Sequence, residues 1–130
     1  MVSVLTVDDH APFRDAARAV ITATPGFEAL AEVRSGEDAL ALLERLRPDL
    51  VLLDVSLPGI DGLETARQLT AGPSSPLVVL ISADDDPVLR DSAGEYGAAA
   101  FVPKKELRPG ILRTIWNRHR GPAEAITPPG

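Results

Sequence analysis

At 130 residues, with 45% hydrophobic and 25% charged side chains, the chain has the composition of one compact soluble domain, and no apolar run approaches the roughly 18 residues a membrane span needs. A net charge of −6 opposes direct binding to nucleic-acid phosphates, and the absence of cysteine excludes disulfides and thiol catalysis. The opening MVSVLTV reads as a strand and not as a signal peptide, so a cytoplasmic location with no membrane attachment is expected.

In chain order, Val2–Val7 is short and dominated by apolar residues, as a strand buried on both faces of a parallel sheet should be. It runs into DDHAPF, where Pro12 suits the first turn of a helix. Residues 28–33 read as a weaker strand. Ser35 with Asp38 is a capping-box-like start for a helix whose apolar stripe is Ala39, Leu40, Leu42, Leu43 and Leu46, with its stop expected at Pro48. Leu50–Asp54 is the next strand; Asp61 with Glu64 then opens a helix carrying Leu63, Ala66 and Leu69, expected to end at Gly72.

Residues 77–81 form a further buried strand, Asp86 before Pro87 reads as a helix cap, and residues 99–102 as a second weak strand. Pro109 starts the last helix, where Gly110 weakens the first turn by roughly 1 kcal/mol relative to Ala, and Trp116 should anchor it on the sheet. The domain is expected over residues 1–120. Residues 121–130, rich in proline, read as a flexible tail. Strand and helix thus alternate five times, which implies right-handed crossovers and an open, doubly wound (βα)5 sheet with helices on both faces.

Ligands in such sheets bind beyond the carboxyl ends of the strands. Those ends here carry Asp8 and Asp9, then Asp54, then Ser82, then Lys104. Three carboxylates brought together would repel one another unless a cation shared them, and an all-oxygen site suits Mg²⁺ or Mn²⁺. A lysine and a hydroxyl beside them supply the fixed charge and the donor that a transferred phosphoryl group wants. A lone Asp pair more often caps a helix than binds metal, and it is Asp54 and Lys104 that tip the balance. His10, a single histidine in a loop, reads as solvated, as do Asp84 and Asp85.

VDD after the first strand, then LVLLDVSLPGIDGLE, VVLISA and GAAAFVPK in this order and spacing, resemble the receiver domain of two-component response regulators over about residues 2–118. The stretch from DDHAPFR to IDGLE is most similar to receivers of the LuxR/NarL/FixJ-type subfamily, which carry a helix-turn-helix output domain that does not follow here. The resemblance implies a flavodoxin-like sheet of strand order 2-1-3-4-5 and a cytoplasmic bacterial protein.

It further implies that Asp54 is the phosphoacceptor, with Lys104 and Ser82 assisting. Asp9 would be a direct Mg²⁺ ligand and Asp8 a water-mediated one, with Asp54 and the backbone carbonyl of Ser56 completing the protein's share. Ser82 and Phe101 would be the switch pair, Phe101 rotating inward as Ser82 moves toward the phosphoryl group. Phe101 lacks the hydroxyl of the commoner Tyr, so its readout must rest on packing. Ser56 and Asp84 would border the path of hydrolytic water.

The implied partners are a sensor histidine kinase or phosphotransfer protein, with a phosphorylation-dependent homodimer as a further form of output. The chain would not be an enzyme beyond catalysing its own phosphorylation and dephosphorylation. A stand-alone receiver is favoured over one cut from a DNA-binding regulator. A Mg²⁺-dependent phosphatase usually needs a carboxylate two residues after its nucleophile, where Ser56 stands, and a flavin or nucleotide binder needs a Gly-rich or hydroxyl-rich first loop, where DDHAPF stands.

Overall fold

The structure, a computed structural model, describes residues 1–120; the expected tail at 121–130 lies outside the described residues. Strands β1 (Val2–Val7), β2 (Phe27–Val33), β3 (Leu50–Asp54), β4 (Leu77–Ser82) and β5 (Ala100–Pro103) form one parallel sheet in the order β2-β1-β3-β4-β5. Helices α1 (Ala11–Ala23), α2 (Gly36–Leu43), α3 (Gly62–Leu69), α4 (Pro87–Ser92) and α5 (Pro109–Arg120) join and flank them. Among the described residues no helix is long and apolar enough to cross a membrane.

The core is two layers separated by the sheet, because successive strand residues point to opposite faces. Val2, Val4, Leu50, Leu52, Val79 and Ile81 face α1 and α5, where they meet Phe13, Ala17, Ile21, Leu112 and Ile115. Leu5, Val7, Val51, Leu53, Val78 and Leu80 face the other way, onto Ala39, Ala66 and Leu69. β1, β3 and β4 are buried along their whole length, which is why their sequences carry almost no polar alternation. β2, at the sheet edge, is largely exposed or half-buried and reads less clearly. Trp116 packs against the first layer and meets Phe27 edge to face at 6.5 Å.

The helix starts follow the expected chemistry. Ser35 Oγ accepts from the Asp38 N–H, Asp61 from the Glu64 N–H, and Asp86 from the Val88 and Leu89 N–H groups. One stop differs from expectation. α2 ends at Leu43, short of Pro48, because the Arg45 and Leu46 N–H groups both turn back to the Leu42 carbonyl and leave Leu46 half-exposed. α4 is only six residues long and passes into a 3-10 turn over Ala93–Tyr96 that Gly97 closes at φ 86°.

Gly62 has a packing role that spacing does not reveal. A Cβ there would lie 2.2 Å from the Asp54 carbonyl oxygen and 2.6 Å from Val55 Cα, so only glycine lets α3 start against the end of β3. Both obstacles are backbone and neither can yield cheaply. Gly62→Ala is therefore expected to lower unfolding free energy in urea by about 1–3 kcal/mol. Gly72→Ala, with nothing within 4 Å of the new Cβ, should stay within about 0.5 kcal/mol of wild type. Equal midpoints for the two variants would remove the close-packing explanation.

Candidate functional site

Strand register assembles the site. Val7 pairs with Leu53, Asp54 with Ile81, and Ser82 with Pro103, so the residues that end or follow these strands, Asp8, Asp54, Ser82 and Lys104, emerge at one end of the sheet. Asp8 is fully buried and Asp54 is 4% exposed, while Asp9 is exposed on the loop to α1. One carboxylate oxygen from each of Asp8, Asp9 and Asp54 falls within 4.8 Å of the others.

Asp8 is held from both sides. Its Oδ1 accepts the His10 N–H at 2.8 Å, and its Oδ2 lies 2.6 Å from the Lys104 ammonium. Arg14, on the first turn of α1, donates to the Asp8 backbone carbonyl at 2.7 Å. Asp8 therefore turns the chain into the loop and does not cap α1, whose N-cap is His10 with no side-chain hydrogen bond. The His10 side chain is exposed, as the sequence suggests.

Asp54 Oδ1 accepts from the Ser56 N–H at 3.1 Å, and Oδ2 is 3.8 Å from the Lys104 ammonium. Burial raises the Asp54 carboxyl above the ordinary carboxylate range, and the neighbouring charges of Asp8 and Asp9 push the same way; the Ser56 N–H and the Lys104 charge oppose them. Three carboxyl groups meet a single ammonium here, so acidic groups outnumber the cation beside them and leave a charge deficit. That deficit and the purely oxygen donor set fit a divalent cation of the hard kind.

Ser82, 8% exposed, accepts the Asp84 N–H at 3.3 Å, which leaves its hydroxyl proton to donate. It lies on the sheet face of Val78 and Leu80, the same layer as Phe101. Phe101 is already packed in that layer at 5% exposure, under the Arg90 guanidinium 5.5 Å from its ring centre, so any inward rotation starts from a buried ring. A phenyl ring, without a hydroxyl to satisfy, has nothing to hold it at the surface. Asp84 and Asp85 are exposed, Asp85 pairing with Arg90 at 3.0 Å.

Sequence reasoning missed two contributors. Glu37, in the first turn of α2, accepts the Ile60 N–H at 3.2 Å and lies against Gly59, whose φ of 73° favours glycine, so it fastens the loop that follows Asp54. Phe13 lies beneath the Lys104 ammonium, 4.5 Å from ring centre to Nζ. A surface depression of about 490 Å³ lies at the other end of the sheet around Arg47, Asp49 and Pro76 and shares no residue with this cluster.

Residues 4–115 match the family described as the response regulator receiver domain. Among curated proteins, the response regulator GacA of Pseudomonas aeruginosa is 36% identical over 105 residues, 80% of this chain and 49% of that protein. The DNA-binding transcriptional activator EvgA of Escherichia coli is 32% identical over 114 residues, 88% of this chain and 55% of that protein. The chain thus spans about half the length of the curated relatives it matches. The solved receiver domain of NarL from Mycobacterium tuberculosis superposes with a TM-score of 0.81 at 32% identity, covering 92% of this chain and 97% of that one.

The raised Asp54 carboxyl carries a sign for stability. The folded state holds that proton to higher pH than the unfolded chain does, so Asp54 favours folding below the unfolded carboxylate pKa and loses that contribution as pH rises through the folded one. In metal-free buffer Asp54→Asn should therefore melt above wild type at neutral pH, with the gap narrowing as the pH falls below the carboxylate range. Melting curves across that range check it, and a gap that widens on acidification would reverse the assignment.

Proposed function

The chain belongs to the response regulator receiver domain family, and from that premise we propose that it is a signalling switch whose Asp54 takes a phosphoryl group from a sensor histidine kinase or a phosphotransfer protein. The observation that carries this reading is a 4%-exposed acceptor carboxylate grouped with two others and faced by a single ammonium.

An Asp54 carboxylate oxygen attacks phosphorus, the bond from phosphorus to the donor's imidazole nitrogen breaks with its electron pair leaving on that nitrogen, and an acyl phosphate results. With a small donor such as acetyl phosphate the leaving atom is the acetate oxygen. Bound Mg²⁺, or Mn²⁺ in its place, supplies the positive charge that lets anionic donor and acceptor approach. Asp9, Asp54 and the Ser56 backbone carbonyl would hold it directly and Asp8 through water.

Lys104 neutralises the acceptor before transfer and the phosphoryl oxygens after it. Ser82 donates its hydroxyl proton to one of those oxygens, and as it moves the packing around Phe101 changes. Ser56 and Asp84 border the approach of hydrolytic water. On this reading the protein transforms no external substrate; it catalyses only its own phosphorylation and dephosphorylation, in the cytoplasm.

A second element concerns output. The curated relatives are about twice as long, and one is named a DNA-binding transcriptional activator, which favours residues 1–120 acting as the phosphorylation-controlled input unit of such a regulator. Phosphorylation would then act through a partner or a homodimer. The chain's net charge of −6 suits protein contacts and not DNA.

Incubation with acetyl phosphate and MgCl₂ should add one phosphoryl group, a gain of about 80 Da by intact-mass spectrometry. The gain should vanish in EDTA and in Asp54→Asn, and Lys104→Ala or Ser82→Ala should slow it about tenfold to a hundredfold. An adduct that persists in Asp54→Asn would defeat the assignment of the acceptor.

A further inference from the structure

Lys104 stands on the 3-10 turn after β5 and reaches the site on a long, flexible stem. Its ammonium is nearer to Asp8 (2.6 Å) than to Asp54 (3.8 Å), so attraction by Asp8 alone would draw it away from the acceptor. A third neighbour faces it. Phe13 of α1 presents its ring 4.5 Å from Nζ, with Phe13 only 9% exposed and the Lys104 side chain 19% exposed. A cation over an aromatic face is held more strongly when both are shielded from water, and here both are.

We infer that Phe13 is a positioning residue of this site: its ring face, together with Asp8, fixes the Lys104 ammonium where it can serve the Asp54 carboxylate. The inference rests on the reading of Asp54 as phosphoacceptor. Phe13 also belongs to the α1/α5 core layer beside Ala17 and Ile21. A purely apolar role would be met by any side chain of that size, whereas positioning requires the negative face of the ring.

Near-isosteric fluorinated phenylalanines at position 13 separate the two roles, because fluorine drains the ring face of negative potential while leaving the packing almost unchanged. Phosphorylation by acetyl phosphate with MgCl₂ should slow stepwise from phenylalanine through monofluoro and difluoro to trifluorophenylalanine, by about threefold to tenfold in total, at constant melting temperature. Phe13→Leu should be slowed at least as much. The Lys104 ε-methylene protons, shifted upfield by the ring current in wild type, should return to ordinary positions in Phe13→Leu.

A normal wild-type rate that stays flat across the fluorinated series overturns this inference alone, even if Phe13→Leu is slow. Ordinary wild-type shifts for the Lys104 ε-methylene protons overturn it as well. Failure of wild type to take up any phosphoryl group overturns the acceptor reading and this inference with it.

Discussion

Two carboxylates removed from water and facing a single ammonium are the constraint around which this molecule is arranged. Asp8 is fully buried and Asp54 nearly so, and Lys104 approaches both. Burying an ionised carboxylate costs several kcal/mol unless charge or hydrogen bonds compensate it. The compensation here is drawn from across the fold: the His10 N–H from the turn into α1, the Ser56 N–H from the loop after β3, and Lys104 from beyond β5. It remains incomplete, and an incompletely compensated cluster of carboxylate oxygens fits a hard divalent cation.

The sheet converts this electrostatic problem into a register problem. Parallel pairing brings the carboxyl ends of β1, β3, β4 and β5 to one edge of the layer, so polar side chains placed at or just after each strand meet without long loops. The same pairing divides the work between faces: Asp54 follows Leu50 and Leu52 on the α1/α5 side, and Ser82 follows Val78 and Leu80 on the other.

Much of this was legible in the chain itself, for physical reasons. β1, β3 and β4 stand out because strands buried on both faces tolerate little polarity, and an Asp or Ser ending such a run has few structural excuses. β2 and β5 were legible only to within a residue or so at their ends, since an edge strand and a four-residue strand carry weak patterns. The end of α2 escaped because Pro48 limits a helix without compelling it to extend that far. Phe13 and Glu37 escaped for a different reason: Lys104 and Ile60, their partners, are distant in sequence, and no local spacing encodes such a contact. The tight fit of Gly62 was not legible either, because the backbone of Asp54 and Val55 that crowds it is set by how α3 packs on the end of β3.

The brevity of α4 bears on how the domain opens. It contributes no fully buried residue, exposes Val88 at 74%, and gives way after Ser92 to a 3-10 turn, while its cap, Asp86, stands only four residues after Ser82. Local opening free energy scales with the apolar contacts an element must surrender, so this segment sits near the bottom of the molecule's ladder of partial unfolding. Few apolar contacts tie this segment down, so it can be redrawn at low cost while the two core layers behind it stay packed.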